Sequence, residues 1–205
     1  MRPLNELLHL PFPLVLASKS PRRRALLHHV GFEFDVVDPD VDEDAIDTMQ
    51  DHRSYVQQLA YMKAVRGSEL VTVPSIVIGS DTTVVLEGEV LNKPLNKDHA
   101  VEMLHKLSGN THTVHTGLAL VRDRSNFRVA SRETRVTFRN LDPDEIHAYV
   151  EGGSPLDKAG AYGIQDDYGA VFVSRVEGCY YTIVGLPLEL LYTELRSFVE
   201  ELASA

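Results

Sequence analysis

The chain has 205 residues, with 30 Asp and Glu against 20 Lys and Arg, one Cys and no Trp. Its 43% apolar share is that of an ordinary globular protein, and its length fits one domain or two small lobes, since domains run to roughly 100–200 residues. A net charge of −10 argues against broad binding to nucleic acid or an anionic membrane surface, because such binding needs many Lys and Arg set against phosphate; a polyanionic ligand would need a local basic pocket.

The single Cys179 excludes an internal disulfide or a Cys-cluster zinc site and suits a reducing compartment, the cytosol. In the leucine-rich start, Pro11 and Pro13 leave residues 14–17 as the longest clean apolar run, too short to span a bilayer, so residues 1–13 read as a leader. Leu-Val-Leu-Ala-Ser from Leu14 then reads as a strand. Ser20 is a good N-cap and Pro21 suits the first helical position, which predicts a helix to Val30, stopped by Gly31. Residues 32–37 alternate like a second strand, and 38–51 is an acidic stretch without period, expected to be a loop.

Val56, Leu59, Ala60, Ala64 and Val65 mark a helix over 54–66, ended by Gly67. Residues 75–86 are the most β-rich of the chain, with the polar Gly79-Ser80-Asp81 expected to break the strand, and Glu87-Gly88-Glu89 turns into Val90-Leu91. Asn96 caps a helix to Leu107 with Val101, Leu104 and Leu107 inward. Strands at 111–122 and 127–138 should pair antiparallel across the turn 123–126. Asp142-Pro143-Asp144-Glu145 opens a helix to Glu151, residues 170–177 and 181–184 read as a β pair around Gly178, and 187–202 as a closing amphipathic helix. The expected fold is α/β, with a mixed sheet because of the long antiparallel pair.

No phosphate loop of the G-x-x-x-x-G-K-[ST] kind, G-x-G-x-x-G, H-E-x-x-H or G-x-S-x-G occurs. His112 and His115 are three apart on a strand, so they face opposite ways and read as exposed or hydrogen-bonded residues rather than metal ligands. An aspartyl-phosphate phosphatase would need a second Asp two residues after Asp81, where this chain has Thr83.

Ser18-Lys19-Ser20-Pro21-Arg22-Arg23-Arg24 puts hydroxyls, guanidiniums and a helix N-terminus at the end of a strand. Backbone N–H groups and the helix dipole favour anions there, and Arg adds charge-assisted bonds, although three arginines about 100° apart around a helix would equally well just solvate it. Three other islands accompany this one: Gly79-Ser80-Asp81-Thr82-Thr83-Val84-Val85 followed by Leu91-Asn92-Lys93-Pro94; Ser108-Gly109 with Thr116-Gly117; and Asp157-Lys158-Ala159-Gly160-Ala161-Tyr162-Gly163-Ile164-Gln165. With Val184-Gly185-Leu186-Pro187 they closely resemble the Maf family of nucleoside triphosphate pyrophosphatases, from about Leu14 to the C-terminal helix.

The resemblance implies an elongated mixed sheet with flanking helices, related to the inosine triphosphate pyrophosphatases, a single domain of two lobes around an active cleft. The implied reaction takes a nucleoside triphosphate and water to the monophosphate and pyrophosphate. By their places in the family pattern, Asp81 is the proton acceptor, and Glu43 with Asp81 would hold a divalent cation, Mg²⁺ foremost with Mn²⁺ or Co²⁺ as alternatives. Arg23, Lys63 and Lys93 are expected at the phosphates, with Ser18 supplying a hydroxyl and a backbone donor; without the resemblance, Lys63 would read as plain helix surface.

Three positions separate the family's dTTP/UTP-hydrolysing members from its 7-methyl-GTP-hydrolysing ones. Arg22, Thr82 and Gln165 match the pyrimidine kind, where the other tends to show Trp, Gln and Glu. A Gln amide both donates and accepts at a uracil or thymine edge, whereas a carboxylate only accepts. Lys19, Ser80 in place of a frequent Ala, and a longer leader are the departures, and none touches a named role. The resemblance further implies a cytoplasmic homodimer that clears dTTP, UTP or modified pyrimidine nucleotides. A second reading, prompted by the family's link to septum inhibition, is a regulatory nucleotide-binding protein, and a third is a phosphatase releasing orthophosphate.

Overall fold

The structure is a computed structural model that describes residues 2–43, 46, 51–153, 155–165 and 168–204. A short helix α1 (Leu4–Leu7) precedes β1 (Leu14–Ala17), α2 (Pro21–His29) and β2 (Asp35–Val37). These follow the local signals: the Ser20 side chain accepts from Arg23 N–H, Pro21 stands at the first helical position, and Gly31 takes a φ of +82°. β2 is shorter than the expected 32–37 because it pairs in parallel with only Val15, Leu16 and Ala17 of β1. Of the acidic stretch 38–51, residues 44, 45 and 47–50 lie outside the described residues.

The long helix α3 (His52–Leu70) does not stop at Gly67. A Cβ on Gly67 would lie 2.6 Å from the Ala17 Cβ and 2.9 Å from a Val77 methyl, so this glycine lets the helix approach the sheet rather than end. Nor is β3 (Ile76–Leu86) broken at Gly79-Ser80-Asp81. It is one buried strand in which Ser80 and Asp81 find partners far away in sequence, described with the site below. β4 (Glu89–Leu91) turns back antiparallel on β3, and α4 (Lys97–Leu107) follows, capped by Asn96. Ala100, Met103, Leu104 and Leu107 are its buried residues; Val101, expected inward, is half-buried.

β5 (Thr111–Val121) and β6 (Phe127–Phe138) form the expected hairpin, with Arg122 N–H donating to Asn126 at the turn and the Thr111 and Thr137 hydroxyls 2.8 Å apart at the open end. Helix α5 (Pro143–Gly152) starts with a full capping box between Asp142 and Glu145. The expected β pair over 170–184 is replaced by α6 (Gly169–Phe172), β7 (Val173–Glu177) and α7 (Tyr180–Val184). β7 pairs with β6 instead, Gly178 turns at φ +130°, and the Thr134 hydroxyl bonds both the N–H and the carbonyl of Cys179, so the chain leaves the ladder there. Helix α8 (Leu188–Ser204) closes the fold with Leu188, Leu191, Leu195 and Phe198 buried.

The sheet has seven strands in the order β2-β1-β3-β5-β6-β7, with β4 on β3, and mixes parallel and antiparallel pairs as expected. The chain divides into two compact units, Met1–Asp81 with Thr116–Arg132 and Gly185–Ala205, and Thr82–His115 with Glu133–Val184. In the first, small residues set the packing: Ala60 and Ala64 of α3 join Val15, Ala17, Val77, Ala119 and Val121 in one buried cluster.

In the second, Phe138, Tyr149, Tyr162 and Phe172 form an aromatic core around His112, whose Nε2 lies 2.8 Å from the Tyr162 hydroxyl. Burial holds the His112 pKa down at about 4, against an ordinary 6.5. The unfolded chain therefore takes up this proton at a higher pH than the folded protein does. Stability should fall as pH drops across that window, by about 3 kcal/mol from this group in the limit. In His112→Gln, which does not titrate, the change in urea midpoint between pH 7 and about pH 5 should shrink; an unchanged slope would assign the acid sensitivity elsewhere.

Candidate active site

β1 ends at Ala17, opposite Gly79 of β3, while β3 continues for seven residues more. Ser18 thus stands at the carboxyl end of β1, where ligands of open α/β sheets gather. Its N–H donates to the Val37 carbonyl, so the backbone donor expected of Ser18 is already committed and the hydroxyl is what it offers. That hydroxyl oxygen accepts from Ser20 N–H at 3.1 Å and from Arg23 Nη1 at 3.2 Å. Arg23 also donates through Nε to the Gly185 carbonyl at 2.8 Å, which fixes its guanidinium from two sides. Burial pulls the Arg23 pKa below its ordinary value, opposed by the negative charges of Asp81 and Glu43 and reinforced by the positive charge of Arg22. This mutual influence puts both carboxylates within electrostatic reach of the arginine.

Lys63 is not helix surface. Val56, Leu59, Ala60, Lys63, Ala64 and Gly67 are all buried on α3, a stripe of three- and four-residue steps that turns Lys63 toward the sheet. Gly79 meets the same helix, since a Cβ there would lie 2.0 Å from the Ala60 carbonyl oxygen. Alternation along the strand then presents Asp81, two residues on, to that face. The Lys63 ammonium sits 2.6 Å from Asp81 Oδ1 and 2.7 Å from Glu43 Oε1. Lys63 is 7% and Asp81 8% exposed, whereas the Glu43 side chain keeps 44% of its surface.

Ser80, without an expected role, proves to be structural. Its hydroxyl lies 2.8 Å from the Gly117 carbonyl and 3.1 Å from that of Gly185, the oxygen that also accepts from Arg23. Gly185 was within reach of sequence reasoning as part of a motif island, but only the fold shows its carbonyl joining Arg23 to β3.

Of the remaining candidates, Thr82, Lys93 and Gln165 belong to the second unit and Arg22 to the first. Thr82 is half-buried in β3, where alternation turns it to the face opposite Asp81. Lys93 is exposed in the loop after β4, and Gln165 is half-buried at the end of the 157–165 island. That island is fastened by Gly160 N–H to the Asn92 carbonyl at 3.3 Å, by Gly163 N–H to the Tyr149 hydroxyl at 3.2 Å, and by the Tyr162–His112 contact. Arg22 is half-buried on the first turn of α2. The structure therefore brings Ser18, Arg23, Glu43, Lys63 and Asp81 together in the first unit.

Among the described residues no group of three or more His, Cys, Asp or Glu is disposed to hold a metal ion. The carboxylate oxygens of Glu43 and Asp81, however, converge on one point, the Lys63 ammonium. Two carboxylates fit a hard divalent ion of the Mg²⁺ type that takes its other ligands from water and substrate phosphate.

A family model described as Maf-like protein matches residues 13–198. Curated proteins named dTTP/UTP pyrophosphatase are similar over nearly their whole lengths. That of Clostridium perfringens is 45% identical over 186 residues, 90% of this chain and 96% of its own. That of Desulforamulus reducens is 41% identical over 191 residues, 93% of this chain and 98% of its own. That of Salinibacter ruber is 43% identical over 203 residues, 98% of each. Among solved structures, the Staphylococcus aureus Ham1 protein aligns over 90% of this chain and 98% of its own with a TM-score of 0.50 and 13% identity, a likeness of fold.

Proposed function

The chain belongs to the Maf-like family, and from that premise we propose that it hydrolyses dTTP and UTP to the nucleoside monophosphate and pyrophosphate. The observation that carries the chemistry is the Asp81 carboxylate held on β3 beside a buried lysine, within the field of the half-buried Arg23. The match to relatives named for this activity over at least 90% of the chain supports the substrate class.

In this reading Asp81 takes a proton from water as its oxygen attacks the α-phosphorus, and the bond from that phosphorus to the α,β-bridging oxygen breaks. Arg23, locked by Ser18 and Gly185, gives a preorganised anion-binding fork at no cost in reorientation. Lys63 and Lys93 complete the neutralisation of the polyphosphate, with the Ser18 hydroxyl as a further donor. A divalent cation held by Glu43 and Asp81, Mg²⁺ first and Mn²⁺ or Co²⁺ in its place, would supply Lewis-acid stabilisation of the same charge when bound. Arg22, Thr82 and Gln165 choose the base, and the neutral Gln165 amide matches both donor and acceptor edges of uracil or thymine.

No described helix is long and apolar enough to cross a membrane. The acidic balance and single cysteine favour a cytoplasmic protein that binds neither nucleic acid nor membrane, and we take it to act as a homodimer on canonical or modified pyrimidine nucleotides. The specificity assignment is tested by Thr82→Gln combined with Gln165→Glu. Selectivity for dTTP and UTP over 7-methyl-GTP, measured as a ratio of kcat/KM values, should fall by roughly tenfold or more while the melting temperature holds. An unchanged ratio would remove both residues from base recognition.

A further inference from the structure

Between Glu43 and Asp81, at the point where two carboxylates converge, stands an ammonium. We infer that Lys63 occupies the divalent cation's place in the resting site and passes to the polyphosphate when the metal–nucleotide complex arrives. Metal is then bound together with nucleotide, not before it. The inference rests on the proposed pyrophosphatase reading and adds an order of events to it.

Three observations carry it. The ammonium is 2.6 Å and 2.7 Å from one oxygen of each carboxylate, so a cation between the same two groups would meet a like charge. Lys63 is nearly enclosed on a helix packed tightly against the sheet, which limits how far its charge can retreat into solvent. Two carboxylates are what an ion of the Mg²⁺ type commonly takes from protein, its further oxygen ligands coming from water and substrate phosphate. A polyphosphate brings both the missing oxygens and a stronger anionic partner for the ammonium. The transfer also releases Asp81 from its ion pair when a water must be deprotonated, so the base is restored only in the presence of substrate.

The test is to titrate Mn²⁺ or Mg²⁺ alone, without nucleotide, into the wild-type chain, Lys63→Met, and Lys63→Met combined with Glu43→Gln, by calorimetry. Lys63→Met should bind free metal roughly tenfold or more tightly than wild type, and adding Glu43→Gln should abolish that gain. Lys63→Gln, whose amide still donates to Asp81, carries the same comparison if Lys63→Met does not fold. Equal affinity in wild type and the lysine variants, or a gain that survives Glu43→Gln, would overturn the inference. Pyrophosphate release from dTTP by the same wild-type sample decides the pyrophosphatase reading separately, because the metal titrations contain no nucleotide.

Discussion

Asp81→Asn should lose pyrophosphate release from dTTP and UTP by roughly a hundredfold to ten-thousandfold in kcat, the contribution expected of a well-placed general base. The substitution keeps shape and hydrogen-bonding capacity but removes the charge that accepts the proton. Lys63 keeps Glu43 as a partner at 2.7 Å, so the buried ammonium is not left alone and the fold should survive. Activity and melting temperature measured on one sample separate the two effects. A variant that melts like wild type yet turns over at the wild-type rate would remove Asp81 from the chemistry. A biological effect that persisted in an inactive Asp81→Asn protein would favour the nucleotide-binding regulator instead.

Gly79→Ala should be a severely damaging small change in the scaffold. The added Cβ would lie 2.0 Å from the Ala60 carbonyl oxygen and 2.7 Å from the Ala64 amide nitrogen, both backbone atoms that cannot rotate aside. Either α3 lifts from the sheet or β3 shifts, at about 3 kcal/mol or more by comparison with overpacked cores. Because Lys63 rides on α3 and Asp81 on β3, any accommodation also pulls the 2.6 Å ion pair apart. Chemical denaturation should show a large loss of stability, with the surviving folded fraction less active per molecule. Gly88→Ala, with open space around its Cβ position and φ of +86°, is the comparison for backbone strain without collision. If Gly79→Ala cost no more than Gly88→Ala, the close approach of α3 would not be what places Lys63.

Elements with local causes were legible in the sequence. Ser20-Pro21 and Asp142-Pro143-Asp144-Glu145 specify helix starts through bonds made within four residues, and both helices begin where those signals place them. The continuity of β3 was not legible, because Ser80 is satisfied by carbonyls 37 and 105 residues away and Asp81 by a lysine 18 residues back. Tyr180–Val184, rich in β-favouring residues, is helical because β6 takes β7 as its partner and Thr134 captures Cys179 first. Lys63 is the instructive case. Its three- and four-residue steps from Leu59, Ala60 and Gly67 already placed it on the inward stripe, yet its charge invited a surface reading. A lysine on the buried face of a helix is itself a signal that carboxylates face it.

The most direct measurement incubates the purified protein with Mg²⁺ and a panel of nucleoside triphosphates and deoxynucleoside triphosphates, together with 7-methyl-GTP, and assays pyrophosphate and orthophosphate separately. Pyrophosphate and the monophosphate are expected from dTTP and UTP, with little product from 7-methyl-GTP. Orthophosphate as the first product, or no pyrophosphate with Mg²⁺, Mn²⁺ or Co²⁺, would contradict the pyrophosphatase reading.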